Sequence, residues 1–175
     1  ELQRQGYRSG NWQVMGSYGL AEIGLNMHEF KESAKWVAMG VHRMKEHLRE
    51  DFFPDGSHSE RALSSYSTIV YRDPRNLAYL MENFGGYEEE VAALRPPLER
   101  SLDVWMYMIS PLGTQPAMND GGRGRFDPSI FIEGSQAFDR PDLLWVAKNV
   151  LGANVVDRVS VPPQTSVDFR PSGFA

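Results

Sequence analysis

The sequence contains no cysteine, which excludes a disulfide framework and any thiolate metal site. It has no apolar run long enough to span a bilayer and no signal-peptide pattern at its start. Basic residues are outnumbered, 18 Lys and Arg against 23 Asp and Glu, for a net charge of −5 and a pI of about 5.4. No lysine- or arginine-rich run gathers positive charge, so neither nucleic acid nor a membrane is expected as a partner. Absent too are a Gly-x-Ser-x-Gly elbow, a phosphate-binding loop and a dinucleotide fingerprint. What is present suffices for one core: 175 residues, 41% of them hydrophobic, predict a single domain.

The stretch around which the chain is organised runs from Phe53 to Ser67. It opens on Pro54-Asp55-Gly56, a turn signal, since proline presets one dihedral and glycine accepts the other. His58, Ser59, Glu60, Arg61 and Tyr66 then follow at the start of an expected helix. Helix starts carry unpaired N–H groups and positive dipole, which suit an anionic ligand. The plain alternative is a polar loop with a Ser-x-Glu cap.

Before that stretch, Leu20, Ile23, Met27, Phe30, Ala34, Val37, Val41, Met44 and Leu48 recur at steps of three and four. That is one apolar helical face, too long for one ordinary globular helix, and two helices broken near His28–Lys31 are expected. After it, a helix is expected from about Glu60 to Tyr71, with Asp73-Pro74 as a cap or a kink. Leu77, Leu80, Met81 and Phe84 carry the apolar face to a stop at Gly85-Gly86. Pro96-Pro97 is read as the start of the next helix, which Pro111 ends, and residues 112–135 as a long loop. Its glycines can turn N–H groups toward an anion, with Arg123 and Arg125 adding charge. A last helix runs from Pro141 to Leu151 and stops at Gly152. The sum is an all-α chain of five or six antiparallel helices. Val155 to Ala175 changes to Val, Pro and Thr with partial alternation, which reads as extended chain entering a β-like unit. With Glu1-Leu2-Gln3 at one end and Gly173-Phe174-Ala175 at the other, a processed or excised piece of a longer protein is expected.

Four histidines raise the question of a metal. His42 and His47 are five residues apart, which does not put them on one helix face, and His28 and His58 lack a partner at ligand spacing. No metal site and no cofactor is expected. Asp55, Glu60, Asp120 and Asp127 supply carboxylates for a glycosidase pair, but hydrolysis depends on their separation in space.

Several short motifs, in order, resemble the helical domain of heparinase II/III-type polysaccharide lyases. They are Asn11-Trp12, Gly19-Leu20 with Glu22, Phe30-Lys31-Glu32 with Trp36, Pro54-Asp55-Gly56, Glu60 and Tyr66. Pro111-x-Gly113-x-x-Pro116-x-x-Asn119-Asp120-Gly121 resembles a later loop of that family, and Asp168 to Phe174 resembles the first strand of its β-sandwich. The resemblance implies an incomplete (α/α) toroid of helical hairpins over residues 1–154. Residues 155–175 are then a linker and the beginning of a β-sandwich that the chain does not contain.

It also implies chemistry. The family cleaves uronic-acid-containing polysaccharides by β-elimination, so the uronate charge must be quenched before a proton leaves the neighbouring carbon. On this resemblance Asn11 quenches the charge and Tyr66, 55 residues later, is the general acid and in some members also the base. Trp12, His58, Glu60, Arg61, Asn119, Asp120 and Arg123 are the expected substrate contacts. The partners implied are an acidic polysaccharide and the β-sandwich of the same protein, in a bacterial periplasm or outside the cell. Trp12 and Ser67 stand where the family often has histidine, which bears on substrate class. A glycoside hydrolase on a similar toroid and a non-catalytic carbohydrate-binding helical scaffold are the alternatives.

Overall fold

A computed structural model describes residues 10–60, 66–154 and 162–163. The described residues form α1 (Asn11–Asn26), α2 (Ser33–Glu50), α3 (Tyr66–Phe84), α4 (Glu88–Met108), β1 (Thr114–Gln115), β2 (Gly124–Arg125), α5 (Ser129–Phe138) and α6 (Pro141–Asn149). The all-α class expected from the sequence is the class adopted, with antiparallel hairpins as its unit. The expected extended tail and the start of a β-sandwich fall almost wholly outside the described residues.

The long apolar stripe does break, at residues 27–32, and its halves fold back on each other as α1 and α2. The two helices approach closely at Gly40, where an added Cβ would sit 2.5 Å from the carbonyl oxygen of Ser17. Val14, Ala21 and Leu25 of α1 and Val37, Val41, Met44 and Leu48 of α2 are buried in this hairpin.

One helix boundary differs from expectation, at Pro96-Pro97, and Pro74, expected as a cap or a kink, falls within one continuous helix. Pro74 lies inside α3, and Pro96 and Pro97 lie inside α4, which begins at Glu88. Proline in a helix interior costs about 3 kcal/mol locally. In α3 the buried face Val70, Tyr71, Leu77, Ala78 and Met81 runs through the proline and offsets that cost. In α4 the carbonyls deprived of partners belong to Ala92 and Ala93, both exposed, so water can reach them. Glu88, Glu89 and Glu90 in the first turn of α4 favour its positive end and place the start there.

The expected long loop over 112–135 is also corrected. β1 and β2 pair antiparallel, Thr114 with Arg125 and Gln115 with Gly124, and α5 begins at Ser129. Asp127 starts that helix by accepting from the Ser129 N–H at 2.9 Å, and Ile130 and Phe131 are buried beneath it. Tyr71, Trp105, Phe126 and Phe131 meet in succession, edge-on, tilted and then stacked, with ring centroids 4.9, 5.6 and 5.1 Å apart. This aromatic run ties α3, α4, the hairpin and α5 into one core. Arg140 clamps the start of α6 to α4, reaching Asp142 at 2.6 Å and Asp103 at 2.7 Å.

Candidate functional site

The Pro54-Asp55-Gly56 signal makes the turn it predicts. Phe53 donates to Ser57 O at 2.8 Å and Gly56 to Phe53 O at 2.9 Å, while the Asp55 carboxylate accepts from both the N–H and the hydroxyl of Ser57. Gly56 has φ +92°, and a Cβ there would meet the Arg100 carbonyl carbon at 2.3 Å. The turn is therefore pressed against α4, where the Ser101 hydroxyl donates to Gly56 O at 2.8 Å.

From this turn the chain returns past the end of α2 to the beginning of α1. Gly10 and Asn11 open α1, and their N–H groups have no acceptor within the helix. Two carboxylates from elsewhere serve instead: Asp51 accepts from Gly10 and Glu60 from Asn11, each at 3.3 Å. Both charges lie at the positive end of the helix, where they are stabilising. Gly10, at φ +72°, leaves room for this, because a Cβ would stand 2.2 Å from Oε1 of Glu60.

Beneath Glu60 lie two histidines. The Glu60 N–H points at His58 Nδ1 at 3.1 Å, His58 Nε2 is 3.3 Å from His47 Nε2, and His47 Nδ1 is 2.8 Å from Asp51 Oδ2. His58 is only 6% exposed, and Phe52 stands edge-on to both rings. Burial, foremost, and the neighbouring His47 hold the His58 imidazole down at about 3, against the lesser opposite effect of Asp51.

The β-hairpin reaches the same place. At its tip Asn119, in the left-handed region at φ 47°, donates its amide to the Glu60 carbonyl at 2.8 Å. Asp120 and Arg123 on the same tip are exposed.

Tyr66 is half-buried and opens α3. The Asp73 carboxyl, two turns on, is pushed up by burial first and then by Glu22 of α1, and Asp73 in turn acts on Tyr18. Asp73 of α3 thus lies within electrostatic reach of Tyr18 and Glu22 of α1. Asn11 and Tyr66 are the first residues of α1 and α3, and Glu60, six residues before Tyr66 in sequence, is bonded to Asn11.

The expected contacts therefore divide by position. Trp12 is 66% exposed on the first turn of α1, and Asp120 and Arg123 are also exposed. Asn11 is buried to 9%. His58 is enclosed with both ring nitrogens in contact, and Glu60, half-buried, caps α1. Asn119 anchors the hairpin through its amide. Arg61 lies outside the described residues.

Sequence reasoning missed Gly10, His47 and Asp51. The spacing of His47 to Asp51 is that of one helix turn, the same as His42 to Glu46, whose side chains are 3.5 Å apart. That step was available in the sequence. The approach of His58 to His47 was not, because it depends on the turn between them.

The carboxylates of a hydrolase pair are largely committed to structure. Asp55 is buried in its own turn, Glu60 caps α1, and Asp127 is paired with Arg72 at 2.6 Å. The three groups His47, Asp51 and His58 have ligand-type atoms within 4.8 Å of one another. A metal on both Nε2 atoms would need the His58 proton on Nδ1, where it would break the hydrogen bond from the Glu60 N–H.

Among the described residues no helix is long and apolar enough to cross a membrane. Comparison with known proteins gives two findings. A family model described as Heparinase II/III N-terminus matches residues 2–133. A solved structure, the crystal structure of heparinase III, superposes with a TM-score of 0.75 at 22% identity, covering 90% of this chain and 25% of that one. That likeness speaks for the fold, and the chain spans about a quarter of the length of that protein. Nothing among curated proteins matches. With more than half of its residues inside the family match, the chain belongs to the heparinase II/III family.

Proposed function

We propose that this chain is the helical part of a polysaccharide lyase, an arc of an (α/α) toroid, that cleaves uronic-acid-containing glycans by β-elimination. The glycans are heparan- or heparin-like or alginate-like, and the enzyme works in the periplasm or outside the cell. The observation that carries the reading is the start of α1 and its link to the residues that precede α3. There Glu60 bonds Asn11 through its carboxylate and Asn119 through its carbonyl, and Tyr66 starts the next helix.

In this reading the Asn11 carboxamide donates to the uronate carboxylate, and its hydrogen bond strengthens as negative charge moves onto those oxygens in the enolate. A base takes the proton from the carbon beside the carboxylate. The new carbon–carbon double bond forms as the bond to the glycosidic oxygen breaks, and the Tyr66 hydroxyl gives that oxygen its proton. Trp12 offers an exposed ring face for a sugar, and Arg123 brings positive charge on the hairpin tip. No metal or organic cofactor enters this scheme. The structural use of Asp55, Glu60 and Asp127 favours elimination over a two-carboxylate hydrolysis.

The test is made on the full-length polypeptide with heparan, heparin and alginate as substrates. Elimination leaves an unsaturated uronate that absorbs in the near ultraviolet, one chromophore per bond cleaved. New reducing ends without that absorbance would identify a hydrolase. Glycan binding with neither signal would identify a non-catalytic scaffold.

A further inference from the structure

We propose that His47 and His58 are positioning residues: two neutral imidazoles, locked in opposite tautomers, that hold Asp51 and Glu60 where they cap the start of α1 under Asn11. The inference rests on the reading of Asn11 above for its effect on turnover, though not for the lock itself.

The tautomers follow from the donors. A main-chain N–H can only donate, so His58 Nδ1, 3.1 Å from the Glu60 nitrogen, accepts and carries no proton. A neutral His58 then has its proton on Nε2, directed at His47 Nε2 at 3.3 Å. That atom must accept, which leaves the single His47 proton on Nδ1, 2.8 Å from the Asp51 carboxylate. Each ring donates once and accepts once, and the chain runs one way, from the Glu60 N–H through both imidazoles to Asp51. Asp51 is also the acceptor of the Gly10 N–H, and Glu60 of the Asn11 N–H. The two ends of the chain therefore meet again at the beginning of α1.

The loop is sensitive to one proton. Protonating His58 puts an N–H against the N–H of Glu60, and protonating His47 puts one against the N–H of His58. Either breaks a bond in a setting where both rings are buried. Among the described residues the charged group recorded against the pair is Asp51 at the end of α2; Glu60 in the returning loop meets it through its main-chain N–H, and the Phe52 ring stands edge-on to both imidazoles. A displaced Glu60 loses the Asn11 N–H and moves the carbonyl that anchors Asn119. A shift near 1 Å at a group that must meet a developing charge costs about a hundredfold in rate.

The experiment uses the full-length polypeptide with nitrogen-15 in its histidine rings. At pH 7 the expected pattern is His58 protonated on Nε2 and His47 on Nδ1, each assigned by its loss in the His58→Gln or His47→Gln variant. A charged ring, or the reverse tautomer at either position, overturns the lock. Stoichiometric zinc is expected to leave both ring protons in place; their loss would show a metal site and overturn the lock as well. For the positioning role, His47→Ala is expected to lower kcat ten- to a hundredfold with KM within about threefold. His47→Gln, which keeps one donor and one acceptor, should recover most of it. Equal loss in both variants would overturn positioning by hydrogen bonding. Loss in neither, with Asn11→Ala still inactive, would show that the start of α1 holds its place without the pair. If Asn11→Ala is itself fully active, the reading of Asn11 fails, while the ring pattern still decides the lock.

Discussion

Glu60 holds Asn11 and is held by the turn behind it: its Oε1 accepts the Asn11 N–H at 3.3 Å, while its own N–H is fixed on His58 at 3.1 Å. A residue expected to touch substrate thus sets the position of the residue expected to quench its charge.

Tyr66→Phe removes one hydroxyl from a half-buried ring at the start of α3. In the full-length enzyme the fold and substrate binding should survive, and elimination should fall at least about a hundredfold, the usual contribution of a positioned acid or base. Asn11→Ala should lower kcat comparably, because the lost hydrogen bond is strongest in the transition state. Near-ultraviolet rates, with KM measured alongside, check both. Near-normal turnover in Tyr66→Phe would mean that another group moves the proton.

Two glycines of the site should respond differently to alanine. At Gly56 the new Cβ would meet the Arg100 backbone at 2.3 Å, and backbone cannot yield, so Gly56→Ala should cost more than about 3 kcal/mol or abolish folding. At Gly10 the obstacle is the far end of the Glu60 side chain, which can swing away. Gly10→Ala should cost about 1–3 kcal/mol in stability, from a backbone at φ +72° and ψ −154° that glycine alone adopts readily, and should lower turnover by releasing Glu60 from Asn11. Gly85→Ala, at φ +74° with open space around it, gives the backbone cost alone. Urea unfolding followed by tryptophan fluorescence separates the three, and equal losses at Gly56 and Gly85 would contradict the packing described.

What could be read from the sequence was local. The α1–α2 stripe, the Pro54-Asp55-Gly56 turn and the stop at Gly85-Gly86 each follow from periodicity or from one residue's dihedral preference. The errors arose where tertiary burial overrode a local cost. Pro74 and Pro96-Pro97 are breakers by propensity, but the buried faces of α3 and α4 continue through them. The hairpin over 114–125 has strands of two residues each, too short for alternation to reveal. In the candidate site, the roles proposed for Asn11 and Tyr66 come only from their resemblance to a family pattern. The capping of α1 by Asp51 and Glu60 joins residues 41 and 49 positions apart, and nothing in local spacing records it.

Stability should fall on acidification, beginning near neutrality. An unfolded chain takes up a proton on His58 near 6.5, whereas the folded one resists until about 3, so between these values the unfolded state binds more protons. Stability from this group is complete above 6.5 and is lost as the pH falls toward 3, by at most about 1.4 kcal/mol per unit. Asp51 adds to the loss at the acid end. Its carboxyl is held below the ordinary value, chiefly by the His47 hydrogen bond, so its contribution is present above 3.8 and fades as pH falls through its folded value. Denaturation midpoints from pH 7 to pH 4 should slope downward in the natural sequence and much less in His58→Gln. Equal slopes would show that the buried imidazole is not the source.

The 175 residues alone should be nearly inactive, although they hold Asn11 and Tyr66. The chain spans about a quarter of the heparinase III chain it superposes on, so most of that protein's structure has no counterpart here. Elimination needs a base, a carboxylate partner and an acid in one dry cleft, because electrostatic stabilisation weakens steeply where water enters. Along α1 the side chains of Met15 and Ile23 are each about half exposed, on a helix whose other face is already packed. Assayed at equal molarity on the best uronate polymer, the isolated piece should turn over less than about a hundredth as fast as its full-length parent, which is the scale of one missing acid or base. Comparable rates in the two would mean that every group the chemistry needs lies within these residues, and the contribution assigned to the remainder would have to be withdrawn.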